Sequence, residues 1–146
     1  MNGNESGDSD EYPFSKETHD IIKCSLEVFH YFGHGFLESV YQKALEYELT
    51  TQGFTIEPQK PLNVYYKGVD IGATFRADIV VNDEIILELK AISRLTKADE
   101  RQLIHYLKAT GYKIGLLFNF GNKSGLEWRR FVSTNKLMET EDEQKP

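Results

Sequence analysis

Between Ser15 and Phe32 the apolar residues Ile21, Ile22, Leu26, Val28 and Phe29 recur at helical spacing, which predicts an amphipathic helix. Ser15 reads as its N-cap, with Glu17 in the first turn, where an acid is favoured. Gly33-His34-Gly35 breaks the pattern. A second helix is expected from about Phe36 to Gln52, with Leu37, Val40, Tyr41, Ala44, Leu45 and Leu49 on its apolar side and Gly53 just past its end. After Gly53 the period shortens to two. Phe54 to Glu57 predicts a short strand ended by Pro58 and Pro61, and Leu62 to Tyr66 a second piece. Lys67-Gly68 suggests a turn into Val69 to Thr74. Phe75 to Val81 and Ile85 to Leu89 read as two further strands joined by Asn82-Asp83-Glu84. Thr96, with Asp99 three residues on, has the pattern of a capping box opening a helix that runs to Thr110 and stops at Gly111. Ile114 to Phe120 reads as a buried strand and Trp128 to Val132 as a last one. A helix placed between strands implies a crossover and a mixed sheet, hence one α/β domain.

Composition narrows the classes. With 146 residues, 40% hydrophobic and 27% charged, the chain suits one globular domain with a real core. No apolar run approaches the roughly 18 residues needed to cross a bilayer. The acidic, polar start (MNGNESGDSDEYP) is not a secretory signal, so the cytoplasm is the expected compartment and no membrane partner is expected. A lone cysteine, Cys24, excludes an internal disulfide and an all-cysteine metal site. The four histidines, His19, His30, His34 and His105, show no zinc-ligand spacing.

The net charge of -6 argues against a nucleic-acid partner until its distribution is considered. Residues 1–12 carry four acids and no base, and residues 139–146 four acids against Lys145. Residues 13–138 therefore hold 15 acids and 16 bases. The expected organisation is an acidic disordered tail over 1–12, a single domain over 13–136 and a second acidic disordered tail over 137–146. Arg94, Lys97, Arg101, Arg129 and Arg130, with Trp128, are possible phosphate contacts.

Asp78 interrupts one apolar strand, and Glu88 and Lys90 interrupt the end of the next. If the loop between them is three residues, Asn82 to Glu84, Val81 pairs with Ile85 and Asp78 lies opposite Glu88. Paired residues share a face, and Lys90 shares it by alternation. A two-residue loop would put the carboxylates on opposite faces and remove the site. Facing carboxylates repel unless a cation lies between them. Mg²⁺ (or Mn²⁺) suits such oxygen ligands, with Asp78, Glu88 and the carbonyl of Leu89 as its protein ligands. The ion would lower the pKa of a bound water, and Lys90 would orient that water or offset charge on the phosphate. The competing account is an exposed salt bridge in which Lys90 neutralises Glu88.

Gly35-Phe36-Leu37-Glu38-Ser39-Val40-Tyr41 matches the GxxExxY signature. With Phe75-Arg76-Ala77-Asp78, Glu88-Leu89-Lys90-Ala91 and Gln102-Leu103-Ile104-His105-Tyr106-Leu107, the chain resembles the GxxExxY proteins of the PD-(D/E)XK nuclease superfamily over about residues 15–135. Ala77 stands where the superfamily's name has proline, which carries no ligand atom. The resemblance implies a restriction-endonuclease-like core and a metal-dependent nuclease, with DNA as the expected substrate and RNA as the alternative. It also implies that Glu38 joins Asp78, Glu88 and Leu89 at the metal site, as a further acidic ligand or as a holder of water. Gln102 and Tyr106, four apart on one helix face, resemble a Gln-xxx-Tyr element that lines the active site of exonuclease-like members. Tyr41 reads as core packing. The alternative is a catalytically inactive module of the same fold that binds nucleic acid or a partner protein. No inserted specificity domain is visible, which leaves targeting to a protein partner or to a homo-oligomer.

Overall fold

The sheet of this protein runs β1 (Ile56–Tyr66), β2 (Val69–Val81), β3 (Ile85–Lys90), β4 (Ile114–Asn119), β5 (Glu127–Val132), in sequence order across its width. The structure is a computed structural model that describes residues 15–133; both acidic tails lie outside the described residues. Helices α1 (Ser15–Phe32) and α2 (Glu38–Thr51) precede the sheet, and α3 (Lys97–Thr110) joins β3 to β4. That connection makes β3 and β4 parallel, while the other three pairings are antiparallel. A parallel pair needs such a crossover, because a tight turn can only reverse the chain. The mixed α/β architecture expected from the element order is thus present. No described helix is long and apolar enough to cross a membrane.

Alternation along β3 decides what each layer buries. Ile85, Leu87 and Leu89 pack with Ile21, Cys24 and Val28 of α1 and Tyr41, Leu45 and Leu49 of α2. Ile86 faces the other way, into a smaller cluster with Leu103 and Leu107 of α3. Glu88 and Lys90, by the same alternation, belong to the α3 side. All six residues of β4 are buried, as a strand covered on both faces requires.

Three local expectations change. Pro58 and Pro61 do not end a strand: β1 runs unbroken through both and pairs with β2 from Ile56 to Tyr66. β1 is an edge strand, so an absent N–H there costs no ladder bond to a further neighbour. The pieces Val69 to Thr74 and Phe75 to Val81 are one strand. Ser15 is already helical, which puts the capping position of α1 outside the described residues. The Thr96 capping box is formed with Asp99, and Gly111 ends α3 at φ 87°, its N–H donating to Leu107 O.

Candidate active site

Three residues, Asn82 to Glu84, connect β2 to β3, so Val81 pairs with Ile85 and the ladder continues through Val80–Ile86 and Ile79–Leu87. Asn82 and Asp83 both take left-handed conformations (φ 53° and 54°), which these two residue types accept more readily than other non-glycines. The N–H of Glu84 closes the turn on Val81 O at 3.0 Å. The odd loop sets the register that points Asp78 at Glu88. One step further the ladder gives way to a side chain: Leu89 N–H donates to Asp78 Oδ2 at 2.8 Å.

At Asp78 the pleat of β2 also skips. Phe75 and Ala77 pack in the α3-side cluster, and so does Val80, whereas Ile79 and Val81 join the opposite core. Regular alternation cannot put 77 and 80 on one face. Across the sheet, Gln59 of β1 stands at φ 53°, and the Gln59/Asp78 position drops out of the pairing between Pro58–Ile79 and Lys60–Ala77. Side-chain bonds hold the irregularity in place. Gln42, buried on α2, donates from Nε2 to the main-chain O of Asp78 at 3.1 Å and to Glu46 Oε2 at 3.0 Å. Gln59 Nε2 donates to Gln42 Oε1 at 3.0 Å and, at 3.4 Å, to Asp78 Oδ1. Arg76 Nη1 in turn donates to Gln59 O at 2.8 Å.

Electrostatics centre on Glu88. Burial, and then the charge of Asp78, push its pKa up to about 8 against the opposing pull of Asp78's amide and Lys90. Its Oε2 is buried and has no hydrogen-bond partner among the described residues. Lys90 forms an ion pair with neither acid among the described residues, so the simple salt-bridge account does not describe it. Glu38 is the first residue of α2 and exposed overall, yet its carboxyl senses the pair: desolvation and then Asp78 raise its pKa, and Lys90 lowers it. Tyr106 is half-buried on α3 with its pKa raised by burial, then by Glu88 and Asp78. Its ring stacks on Phe75, centroids 3.4 Å apart. Gln102, one turn earlier, is exposed and makes no hydrogen bond through its side chain among the described residues.

A buried carboxylate oxygen without a partner is costly, and a second carboxylate beside it makes ionisation costlier still. An oxygen-seeking divalent cation removes both penalties, so the donor set fits one. Leu89 fits as well: a strand residue directs its N–H and C=O to the same side, and its N–H faces Asp78. Among the described residues, however, no three His, Cys, Asp or Glu side chains form a group that could hold a metal ion. Glu38 therefore stands within electrostatic reach of the acid pair without completing a three-carboxylate cluster.

The motif Gly35 to Tyr41 has a structural explanation. Tyr41 is fully buried and stacks on Phe120 at 4.7 Å. Its hydroxyl donates to Gly33 O at 2.6 Å and accepts from Phe36 N at 3.1 Å, pinning the turn that delivers Glu38. A second brace, not foreseen from the sequence, holds the segment after Lys90. Asn119, fully buried beside Lys90 in the β3–β4 register, binds both the N–H and the C=O of Ile92 at 2.9 Å and donates to Glu127 Oε1 at 2.8 Å. Gly121 lies so close that a Cβ there would stand 2.4 Å from the main chain of Ile92. Gln42 could have been found as the residue one turn beyond Glu38 on the same helix face; Gln59 and Asn119 carry no local signal. Of the possible phosphate contacts, Arg129 is paired with Glu100 at 3.2 Å and Lys97 with the same acid at 3.7 Å.

The family model described as the PD-(D/E)XK nuclease superfamily matches residues 15–131. No curated protein matches the chain. Among solved structures, that titled "Crystal structure of SSO0001" is similar at 16% identity and TM-score 0.51, covering 75% of this chain and 59% of the other. An alkaline exonuclease (LHK-Exo) from Laribacter hongkongensis aligns at 10% identity and TM-score 0.49 over 72% of this chain and 60% of that one. The chain thus spans about three fifths of the length of each structure. At 16% identity the first likeness speaks for the fold alone.

Proposed function

Because the chain belongs to the PD-(D/E)XK nuclease superfamily, we propose that it is a divalent-metal-dependent phosphodiesterase that cuts DNA. Nucleases of this superfamily generally use divalent metal ions. The observation that carries the reading is the buried Oε2 of Glu88, beside Asp78 and without a hydrogen-bond partner among the described residues. Asp78, Glu88 and the Leu89 carbonyl would hold Mg²⁺, or Mn²⁺ in its place. When bound, such an ion supplies Lewis acidity, lowering the pKa of water and offsetting phosphate charge. Lys90 donates toward the phosphate oxygens on which charge grows. Glu38, whose carboxyl is made more basic by burial and then by Asp78, accepts a hydrogen bond from the attacking water. Tyr106, whose hydroxyl senses Glu88 and Asp78, and Gln102, one turn earlier on the same face of α3, would contact the substrate. Within the superfamily we assign the chain to the GxxExxY group, a reading supported by the motif Gly35 to Tyr41, in which the Tyr41 hydroxyl pins the turn before Glu38.

Cleavage of linear, circular and branched DNA with Mg²⁺ tests the reading. Asp78→Ala and Lys90→Ala should each lose at least about 100-fold in rate with the fold intact, since each removes an electrostatic contributor. Full activity in either variant, or in EDTA, would sink it. A second reading, a non-cutting module that binds nucleic acid or protein, is favoured by the absence of a three-carboxylate group among the described residues. Titration with Mg²⁺ or Mn²⁺ separates the two: nucleic-acid affinity without saturable metal binding selects the module.

A further inference from the structure

Beyond the site, β1 and β2 continue as a two-stranded arm. β3 pairs with β2 only along Ile79–Val81, so Val69 to Thr74 have no third strand, and all six are exposed. A hairpin with no further strand gains little stability from itself. Yet one face of this arm is apolar. Tyr66 pairs with Val69, and Ile71 lies two residues on, where the register with β1 shifts between Tyr65–Asp70 and Asn63–Thr74. These three side chains are 60%, 61% and 54% exposed. Lys67 lies over the Tyr66 ring, 5.4 Å from its centroid. The one acid between Asn63 and Arg76, Asp70, pairs with Tyr65 on the opposite face and is turned to the N–H of Gly72.

We propose that this face of the arm is a stacking platform for a single strand of nucleic acid. An aromatic ring with a cation beside it and no acid on its face is the chemistry that binds unpaired bases and their phosphates together. Location supports the same occupant. β2 runs from the arm directly to Asp78: Ile71 is seven residues away, roughly 23 Å along a strand, the length of a few nucleotides. Phe75, at the base of the arm, stacks on Tyr106, which borders the acid pair. A strand whose backbone reaches Asp78 and Glu88 can therefore lay its flanking bases on Tyr66. A second protein copy fits less well, since three side chains fall far short of the roughly 800 Å² per partner that a specific protein interface buries. The inference deepens the nuclease reading and rests on it for the identity of the ligand.

Fluorescence anisotropy of a labelled oligo-dT of about 12 nucleotides, in EDTA so that no strand is cut, tests the platform on the full chain. Tyr66→Ala should weaken binding about tenfold, the loss of one base stack. Lys67→Ala should weaken it and flatten the salt dependence by about 0.7 in log–log slope. Tyr65→Ala, on the other face, should bind as the unaltered protein does. Unchanged binding by a Tyr66→Ala/Ile71→Ala double variant with normal melting would overturn the proposal. So would a dimer, seen by sedimentation, that the double variant dissociates, because the face would then belong to a second copy. If the unaltered protein cuts DNA and the double variant binds and cuts alike, the platform falls and the nuclease stands. If nothing is cut but Tyr66→Ala loses affinity, the platform stands and the hydrolase reading falls.

Discussion

Leu89 N–H donates to Asp78 Oδ2 at 2.8 Å, one step beyond the last main-chain pair between β2 and β3. The ladder therefore ends on a carboxylate, and Asp78 is oriented by its neighbour strand before any ligand arrives. Its other supports come from α2 and the edge strand.

Gln42 is the first of these supports. Gln42→Leu removes the donor to Asp78 O and the acceptor for Gln59. We expect a stability loss of about 1–2 kcal/mol from the stranded polar groups, and metal affinity about tenfold weaker because the ligand strand is less firmly held. Thermal melting and calorimetric titration with Mn²⁺ measure the two effects; unaltered values in both would remove Gln42 from the site.

Protonation of Glu88 should couple stability to pH. A carboxyl with a folded pKa of about 8 and an ordinary value of 4.5 binds its proton more tightly in the folded protein. Its contribution is complete below 4.5 and lost as pH rises through 8, so the metal-free protein should weaken over that window. The slope approaches roughly 1.4 kcal/mol per pH unit at most. Urea denaturation in EDTA across the window reads this directly. Glu88→Gln should flatten the curve, and added Mn²⁺ should restore stability at the alkaline end.

Tyr41→Phe keeps the ring that stacks on Phe120 but loses both hydroxyl bonds to the turn at Gly33–Phe36. A cost of about 1–2 kcal/mol is expected. Amide exchange at Phe36 should accelerate by more than exchange in β4, since the turn loosens locally; equal acceleration would mean that the hydroxyl serves only global stability.

Gly121→Ala forces a methyl against the main chain at Ala91–Ile92, directly after Lys90. Neither backbone can yield without breaking the Asn119 brace. A loss of about 1–3 kcal/mol is expected, with cleavage falling further than stability alone explains. A fully active, stable variant would show that the segment after Lys90 tolerates displacement.

The sequence by itself determined the features that depend on neighbours in the chain. The change from helical to twofold period placed α1, α2 and the strands; Thr96 with Asp99 and Gly111 bounded α3; and alternation made the meeting of Asp78 with Glu88 conditional on an odd-length loop, which the observed register supplies at Asn82–Glu84. Tertiary structure decided what depends on distant partners. β1 runs through Pro58 and Pro61 because it lies at the edge, and edge position is a property of strand order. The skipped pleat at Asp78 is held by Gln42 and Gln59, which lie 36 and 19 residues away. Glu88 Oε2 is left without a hydrogen-bond partner among the described residues because tertiary burial takes it out of water. Local propensity acts over a turn or a pair of residues, whereas burial and partner choice are settled only when the layers meet.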